Sequence, residues 1–148
     1  MINGVIDSFR GKYGFLSNFY SSDVEWEGLV YSSSEAAFQA GKCLTREERL
    51  RFTTMSPKVS KSEGKRVSLR PDWETVKVQI MYDVVKSKFS QNEFLKNALL
   101  DTGNSMLIEG NIWHDRTWGV CRGVGENYLG KILMLVRKEL RGEYVKYK

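Results

Sequence analysis

Between Ser32 and Lys42 the chain reads Ser-Ser-Ser-Glu-Ala-Ala-Phe-Gln-Ala-Gly-Lys, an ionisable stripe set among very small residues. Ser32 and Glu35 have the S-x-x-E spacing of a capping box, which predicts a helix beginning near Ser33. Residues three and four apart share a helix face, so Glu35, Gln39 and Lys42 are expected in one polar line. Ala36, Ala37, Ala40 and Gly41 flank that line with little bulk, so a ligand or another backbone can come close. Two readings follow: a pocket wall, or a helix that Glu35 merely caps with Lys42 as one of many surface lysines. The second chemistry-bearing stretch is Asn111–Gly125, which holds Trp113, His114, Asp115, Trp118, Arg122 and three glycines. Asp115 and Trp118, three apart and followed by Gly119, can set a carboxylate and an indole against one ligand. The plainer reading is a surface loop with its tryptophans tucked inward. Gly123-Val124-Gly125 before the last helix can lend backbone N–H groups to a phosphate. His114 is the only histidine, so acid–base chemistry falls to carboxylates, lysines or tyrosines unless His114 acts alone. A multi-histidine metal site is excluded, and Cys43 and Cys121 add weak candidates, so no metal is expected.

With 148 residues, a single domain over 1–148 with one hydrophobic core is expected. Hydrophobic content of 41% and charged content of 28% are globular values. No apolar run approaches a membrane span, and MINGVIDSFR lacks the apolar core of a signal peptide. Two distant cysteines outside any C-x-x-C pair read as free thiols of a cytoplasmic protein. A net charge of +5 is compatible with a phosphate-bearing or nucleic-acid partner.

The elements that must position these residues read as follows. Residues 2–31 are expected to be β structure, with Val24–Trp26 and Leu29–Tyr31 forming a hairpin around Glu27-Gly28. Tyr13–Tyr20, rich in aromatics, is core with a turn in it, or an aromatic rim in which Asn18 reads polar edges. Thr45 and Glu48 begin a short charged helix reaching about Thr53. Ser56-Pro57 opens another, ending at the basic Gly64-Lys65-Arg66, either solvated surface or a phosphate contact. Asp72 is expected to cap the longest helix, whose Trp73, Val76, Ile80 and Val84 form a buried stripe. Ser90 and Glu93 form a third capping box, before a helix that stops at Asp101-Thr102-Gly103. Ser105–Glu109 is a strand candidate. A final helix over about 127–141 buries Leu129, Ile132, Leu133, Val136 and Leu140, with Lys138 and Arg141 suiting its C-terminal dipole.

Several motifs coincide: Phe15-Leu16-Ser17-Asn18-Phe19; Ser34-Glu35 with Phe38–Lys42; Trp73 with Met81; Lys88-Phe89; Asp115-x-x-Trp118-Gly119; and Asn127-x-Leu129-Gly130-Lys131-x-Leu133-Met134-x-Val136-Arg137. Together, in this order and over nearly the whole chain, they resemble the YbiA-like or NADAR family. The resemblance implies an α+β, mostly helical domain with a small N-terminal antiparallel β element. It also implies N-glycosidase activity, cleaving between a ribose anomeric carbon and a nitrogen, with no cofactor. Two substrates come with it: ADP-ribose on guanine in nucleic acid, and ribosylamino-pyrimidine phosphates of riboflavin synthesis. The basic balance tilts toward the first; a non-catalytic ADP-ribose or NAD binding module is the rival from another class. On the matching positions Lys42 becomes the nucleophile that forms a Schiff base, Glu35 the proton carrier and Asp115 the stabiliser of positive charge. Phe15, Phe19, Trp73 and Trp118 would hold the base or adenine, with Asn18, Gln39, Gly119 and Asn127 completing the substrate site. Lys65, Arg66 or Arg122 would meet phosphates. Where the family often has His after the helix glutamate, this chain has Ala36, so that residue's role does not carry over.

Overall fold

The computed structural model describes residues 4–142. In chain order come β1 (Val5–Ile6), a 3-10 helix (Gly11–Leu16), β2 (Ser21–Trp26), β3 (Leu29–Ser33), α1 (Ser34–Ala40) and α2 (Arg46–Leu50). A second 3-10 turn (Arg51–Thr54) leads to α3 (Pro57–Glu63), α4 (Trp73–Ser90) and α5 (Glu93–Leu100). Then follow β4 (Met106–Leu107), β5 (Gly110–Asn111), β6 (Val120–Cys121) and α6 (Tyr128–Leu140). The fold is α+β and mostly helical. It divides into two compact units, Asn18–Gln91 and the flanking segments up to Ser17 and from Asn92.

In the Asn18–Gln91 unit, β2 and β3 pair antiparallel as the expected hairpin, with Trp26 opposite Leu29. Glu27 (φ 50°) and Gly28 (φ 80°) both take the left-handed region that a two-residue hairpin turn of matching twist requires. Leu29, Tyr31 and Ser33 point inward and Val30 outward. α1 continues directly from β3 and packs on β3, α3 and α4. Every residue of α1 is buried, including Ser34, Glu35 and Gln39. Such polar burial demands partners.

The capping chemistry is shifted in three places. Ser33, not Ser32, caps α1 by accepting from Ala36 N at 3.1 Å, while Ser32 donates to Met55 O at 3.0 Å. Strand geometry decides this, because alternation turns Ser33 inward over the helix and Ser32 outward. Ser90 ends α4, and Asn92 caps α5 by accepting from Leu95 N at 3.2 Å. Asp72 stands at the N-cap position of α4, but its carboxylate makes no capping bond. Thr45 and Ser56 cap α2 and α3 as expected.

In the other unit β1 pairs with β4 and β5 with β6, both parallel, and α6 packs on α5 and β4. The expectation of β structure throughout 2–31 is overturned at Gly11–Leu16, which is 3-10 helix; residues 2 and 3 lie outside the described range. Gly11 enters it at φ 58° and Gly14 sits within it, so these glycines serve a tight helical turn rather than punctuating a strand. On α6, Leu129, Ile132, Leu133 and Val136 are buried as expected, while Leu140 is half-buried. Among the described residues no helix is long and apolar enough to cross a membrane.

Candidate active site

α1 ends at Ala40, so Lys42 stands not on the helix but in the turn after it. Gly41 caps the helix C-terminus, Lys42 N donates to Gln39 O at 3.1 Å, and Cys43 N donates to Ala40 O at 3.0 Å. The helical sense persists through these bonds, which keeps Lys42 on the side of Glu35 and Gln39. The half-buried Lys42 amine donates to Gly64 O at 3.4 Å and stands 5.9 Å from the Trp73 ring centroid. Burial lowers its pKa from the ordinary lysine value; the Glu35 charge works against that and the Lys65 charge with it. The result is an amine readier to be neutral than a surface lysine.

With Ser33 as the N-cap, Glu35 is the second residue of α1 and not the third, so the Ser32–Glu35 spacing is not the one that caps the helix. Glu35 Oε2 accepts from Gln39 Nε2 at 2.6 Å, inside the protein. The other Gln39 atom, Oε1, is buried without a donor and packs against the Gly64 backbone, so a Cβ on Gly64 would strike it. α1 thus supplies Glu35 and Gln39, the turn supplies Lys42, and the end of α3 closes them in with Gly64. Gly64→Ala is expected to cost about 1–3 kcal/mol by overpacking and to pull Gln39 off Glu35. Chemical denaturation measures the first effect and turnover the second.

The remaining expected residues of this unit fall around that cluster. Trp73 opens α4 and is buried at 7% exposure, with its ring 5.2 Å from Phe38. It supports Lys42 more than it offers a free stacking face. Asn18 is spent within the protein: Oδ1 accepts from Ser34 Oγ at 2.9 Å, Nδ2 meets Met81 Sδ at 3.3 Å, and its carbonyl accepts from Glu35 N at 3.0 Å. Asn18 therefore anchors the start of α1. Phe19 is 44% exposed, with Lys61 Nζ 5.9 Å from its ring centroid. Lys65 and Arg66 are exposed beyond α3.

The other unit holds Phe15, Asp115, Trp118, Gly119, Arg122 and Asn127. Phe15 is half-buried in the 3-10 helix. Asp115 Oδ1 accepts from Thr117 N at 3.1 Å and Trp118 N at 2.9 Å, which explains the Asp-x-x-Trp spacing as a capping arrangement. Trp118 meets Tyr128 edge-on at 6.1 Å, whereas Trp113 is exposed. Gly119 has no room for a Cβ against Glu109 O. Asn127 donates to Leu107 O and accepts from Glu109 N, both at 3.0 Å. Arg122 is exposed at φ 53°. Of the Gly123-Val124-Gly125 groups expected to cradle a phosphate, Val124 N donates to Cys121 O at 3.1 Å. At the start of α6 the loop folds back, and the Asn127, Tyr128 and Leu129 N–H groups donate to the carbonyls of Gly119, Thr117 and Trp118. Asp115→Ala is expected to cost this loop about 1 kcal/mol, and Asp115→Asn far less, since asparagine keeps the accepting oxygen. Hydrogen exchange at Thr117 and Trp118 amides reads the difference.

Several buried charged or clamping residues were given no role by the sequence, although Lys88 and Arg137 stand within its motifs. Lys88 is 1% exposed between the Tyr20 and Phe89 rings, and burial lowers its pKa to about 7. Besides its place in the Lys88-Phe89 motif, its signal was a lysine seven residues after Met81 and four after Val84, on the buried face. Arg137, also buried, donates to Thr102 Oγ1 and Ser105 O at 2.8 Å. Arg70 reaches Gly41 O at 3.3 Å across 29 residues, which no local pattern announces.

Residues 7–141 match the NADAR domain family. The chain belongs to this family. The NADAR match takes in Glu35, Lys42, Trp73, Asp115 and Trp118 alike. The N-glycosidase YbiA of Escherichia coli is 36% identical over 137 residues, which cover 90% of this NADAR chain and 85% of that protein. The NMR structure of E. coli YbiA superposes with a TM-score of 0.83 at 34% identity, covering 95% of this chain and 88% of that one. A riboflavin biosynthesis protein of Vibrio vulnificus is 37% identical over 134 residues; the chain spans 36% of that protein's length.

Proposed function

We propose that this protein is an N-glycosidase that cleaves a ribose–nitrogen bond through Lys42. The observation that carries the reading is the lysine itself, a half-buried amine held between Gly64 O and the Trp73 ring, with its pKa lowered and within electrostatic reach of the buried Glu35. The similarity to YbiA supports the reaction class. In the reaction, ribose ring opening leaves the anomeric carbon doubly bonded to the departing nitrogen. The neutral Lys42 amine adds to that carbon, and Glu35 passes a proton to the nitrogen as the carbon–nitrogen bond breaks. Lys42 is then joined to the sugar as a Schiff base. Water adds, the bond to Lys42 breaks, and the free sugar and amine are restored. Gln39 holds the Glu35 carboxylate in place through its Nε2 donor. An inert ADP-ribose or NAD binder has no use for such an amine.

The substrate we assign is ADP-ribosylated guanine in nucleic acid. The net charge of +5 and the exposed Lys61, Lys65 and Arg66 around the Lys42 cluster favour a polyanion. The likeness to a riboflavin biosynthesis protein favours a second reading, hydrolysis of ribosylamino-pyrimidine phosphates. Turnover on ADP-ribosylated guanosine, on the same lesion in an oligonucleotide, and on the pyrimidine intermediates separates them. Oligonucleotide turnover is expected to be fastest and to fall steeply with salt, unlike that of the nucleoside. Faster cleavage of the pyrimidines reverses the order, and binding of ADP-ribose without cleavage of any substrate leaves a binding module.

A further inference from the structure

We propose that Arg70, locked by Asp72, is a positioning residue that clamps the turn carrying Lys42 from behind. The inference rests on the reading of Lys42 as nucleophile. Beyond the end of α1, the three carbonyls of Gly41, Lys42 and Cys43 have lost their helical partners. Arg70 Nη1 takes the first at 3.3 Å, Arg70 backbone N the second at 3.0 Å, and Arg49 Nε the third at 3.0 Å. Arg49 in turn lies 4.6 Å over the Trp26 ring. Arg70 is fixed by its other edge, Nε to Asp72 Oδ1 at 2.7 Å and Nη2 to Asp72 Oδ2 at 3.1 Å.

Only a guanidinium can grip a carboxylate with two donors and still present a third to a carbonyl. Asp72 occupies the N-cap of an 18-residue helix and makes no capping bond, so a local stabilising option is forgone for the lock on Arg70. One residue further, Trp73 stands under the Lys42 amine. The segment Arg70–Trp73 therefore holds Lys42 by backbone and by side chain together.

The test compares Arg70→Gln, Arg70→Lys and Asp72→Asn in the full chain by three measurements. Thermal unfolding reports the fold. Reductive methylation with formaldehyde and cyanoborohydride across pH 6–10, resolved by mass spectrometry, reports the reactivity of Lys42 without any substrate. Steady-state kinetics report kcat and KM. Arg70→Gln is expected to lower kcat about ten- to hundredfold with KM nearly unchanged. It is also expected to move the midpoint of Lys42 labelling toward higher pH, as the released turn lets water reach the amine. Arg70→Lys, which must choose between Asp72 and Gly41, is expected to fall between, and Asp72→Asn to move the same way by less. An unchanged Lys42 labelling profile in a folded Arg70→Gln and in Asp72→Asn overturns the proposal, whatever the unfolding temperature does. If the wild-type protein cleaves no N-glycoside, the functional reading fails alone and the labelling profile still decides the clamp.

Discussion

Lys42→Arg is expected to lose at least about a thousandfold in turnover while folding normally. A guanidinium stays protonated, so it keeps the charge and length of the side chain and loses the nucleophile. The fold is insulated because Lys42 is half-buried and its one side-chain hydrogen bond, to Gly64 O, is long at 3.4 Å. The change in stability should stay within about 1 kcal/mol. Borohydride added during turnover should fix the sugar to the wild-type protein, and digestion should place the added mass on the Lys42 peptide. Lys42→Ala should lose adduct and activity together. Glu35→Gln keeps a partner for Gln39 but removes the carboxylate, so it should slow turnover with the adduct still traceable to Lys42. Because burial lowers the Lys42 pKa, wild-type rates should rise with pH through a midpoint below that of an ordinary lysine. An adduct on Lys65, Lys88 or Lys131, or full activity in Lys42→Arg, would overturn the assignment of the nucleophile.

The second large effect is on stability. Lys88 titrates at about 7 when folded, against an ordinary 10.5, because burial penalises its charged form. Between those values the unfolded chain binds more protons than the folded one, so stability rises with pH and the penalty is complete below about pH 7. From pH 7 to 9.5 this one group should add about 3 kcal/mol to the free energy of unfolding. Lys88→Met, similar in length and without a charge, should remove that slope. Urea denaturation of both proteins at several pH values in this window measures it. Lys42, whose pKa burial also lowers, acts in the same direction, so the test is the part of the slope that Lys88→Met removes; an undiminished slope would mean that another group carries it. Tyr31, whose pKa burial raises to about 12, acts in the opposite direction and only above pH 10, outside the window.

Local rules carried far along this chain. Glu27-Gly28 between alternating apolar residues specifies its own hairpin, because both positions must adopt positive φ and the strand pattern sets the register. Thr45, Ser56 and the glycine at 103 mark helix ends by hydrogen bonds that span three or four residues, so the sequence contains both partners. Glu35, Gln39 and Lys42 were legible as one group for the same reason: the turn after α1 keeps the helical sense over seven residues. The motifs, read jointly, also mark the NADAR family.

Tertiary structure decided what those residues experience. Which serine caps α1 depended on the face that β3 turns inward, and Asp72 gave up its cap for an arginine. Asn18 and Asn127 look like ligand-reading side chains, yet their amides hold backbone and side-chain partners distant in sequence. The lowered pKa of Lys42 arises from burial and from the Lys65 charge 23 residues away, against the opposing pull of Glu35, and the grip of Arg70 on its turn closes across 29 residues. Composition and spacing supply the amine and the carboxylate. Desolvation and the orientation of the amine are properties of the surroundings, and these exist only once distant segments have packed against them.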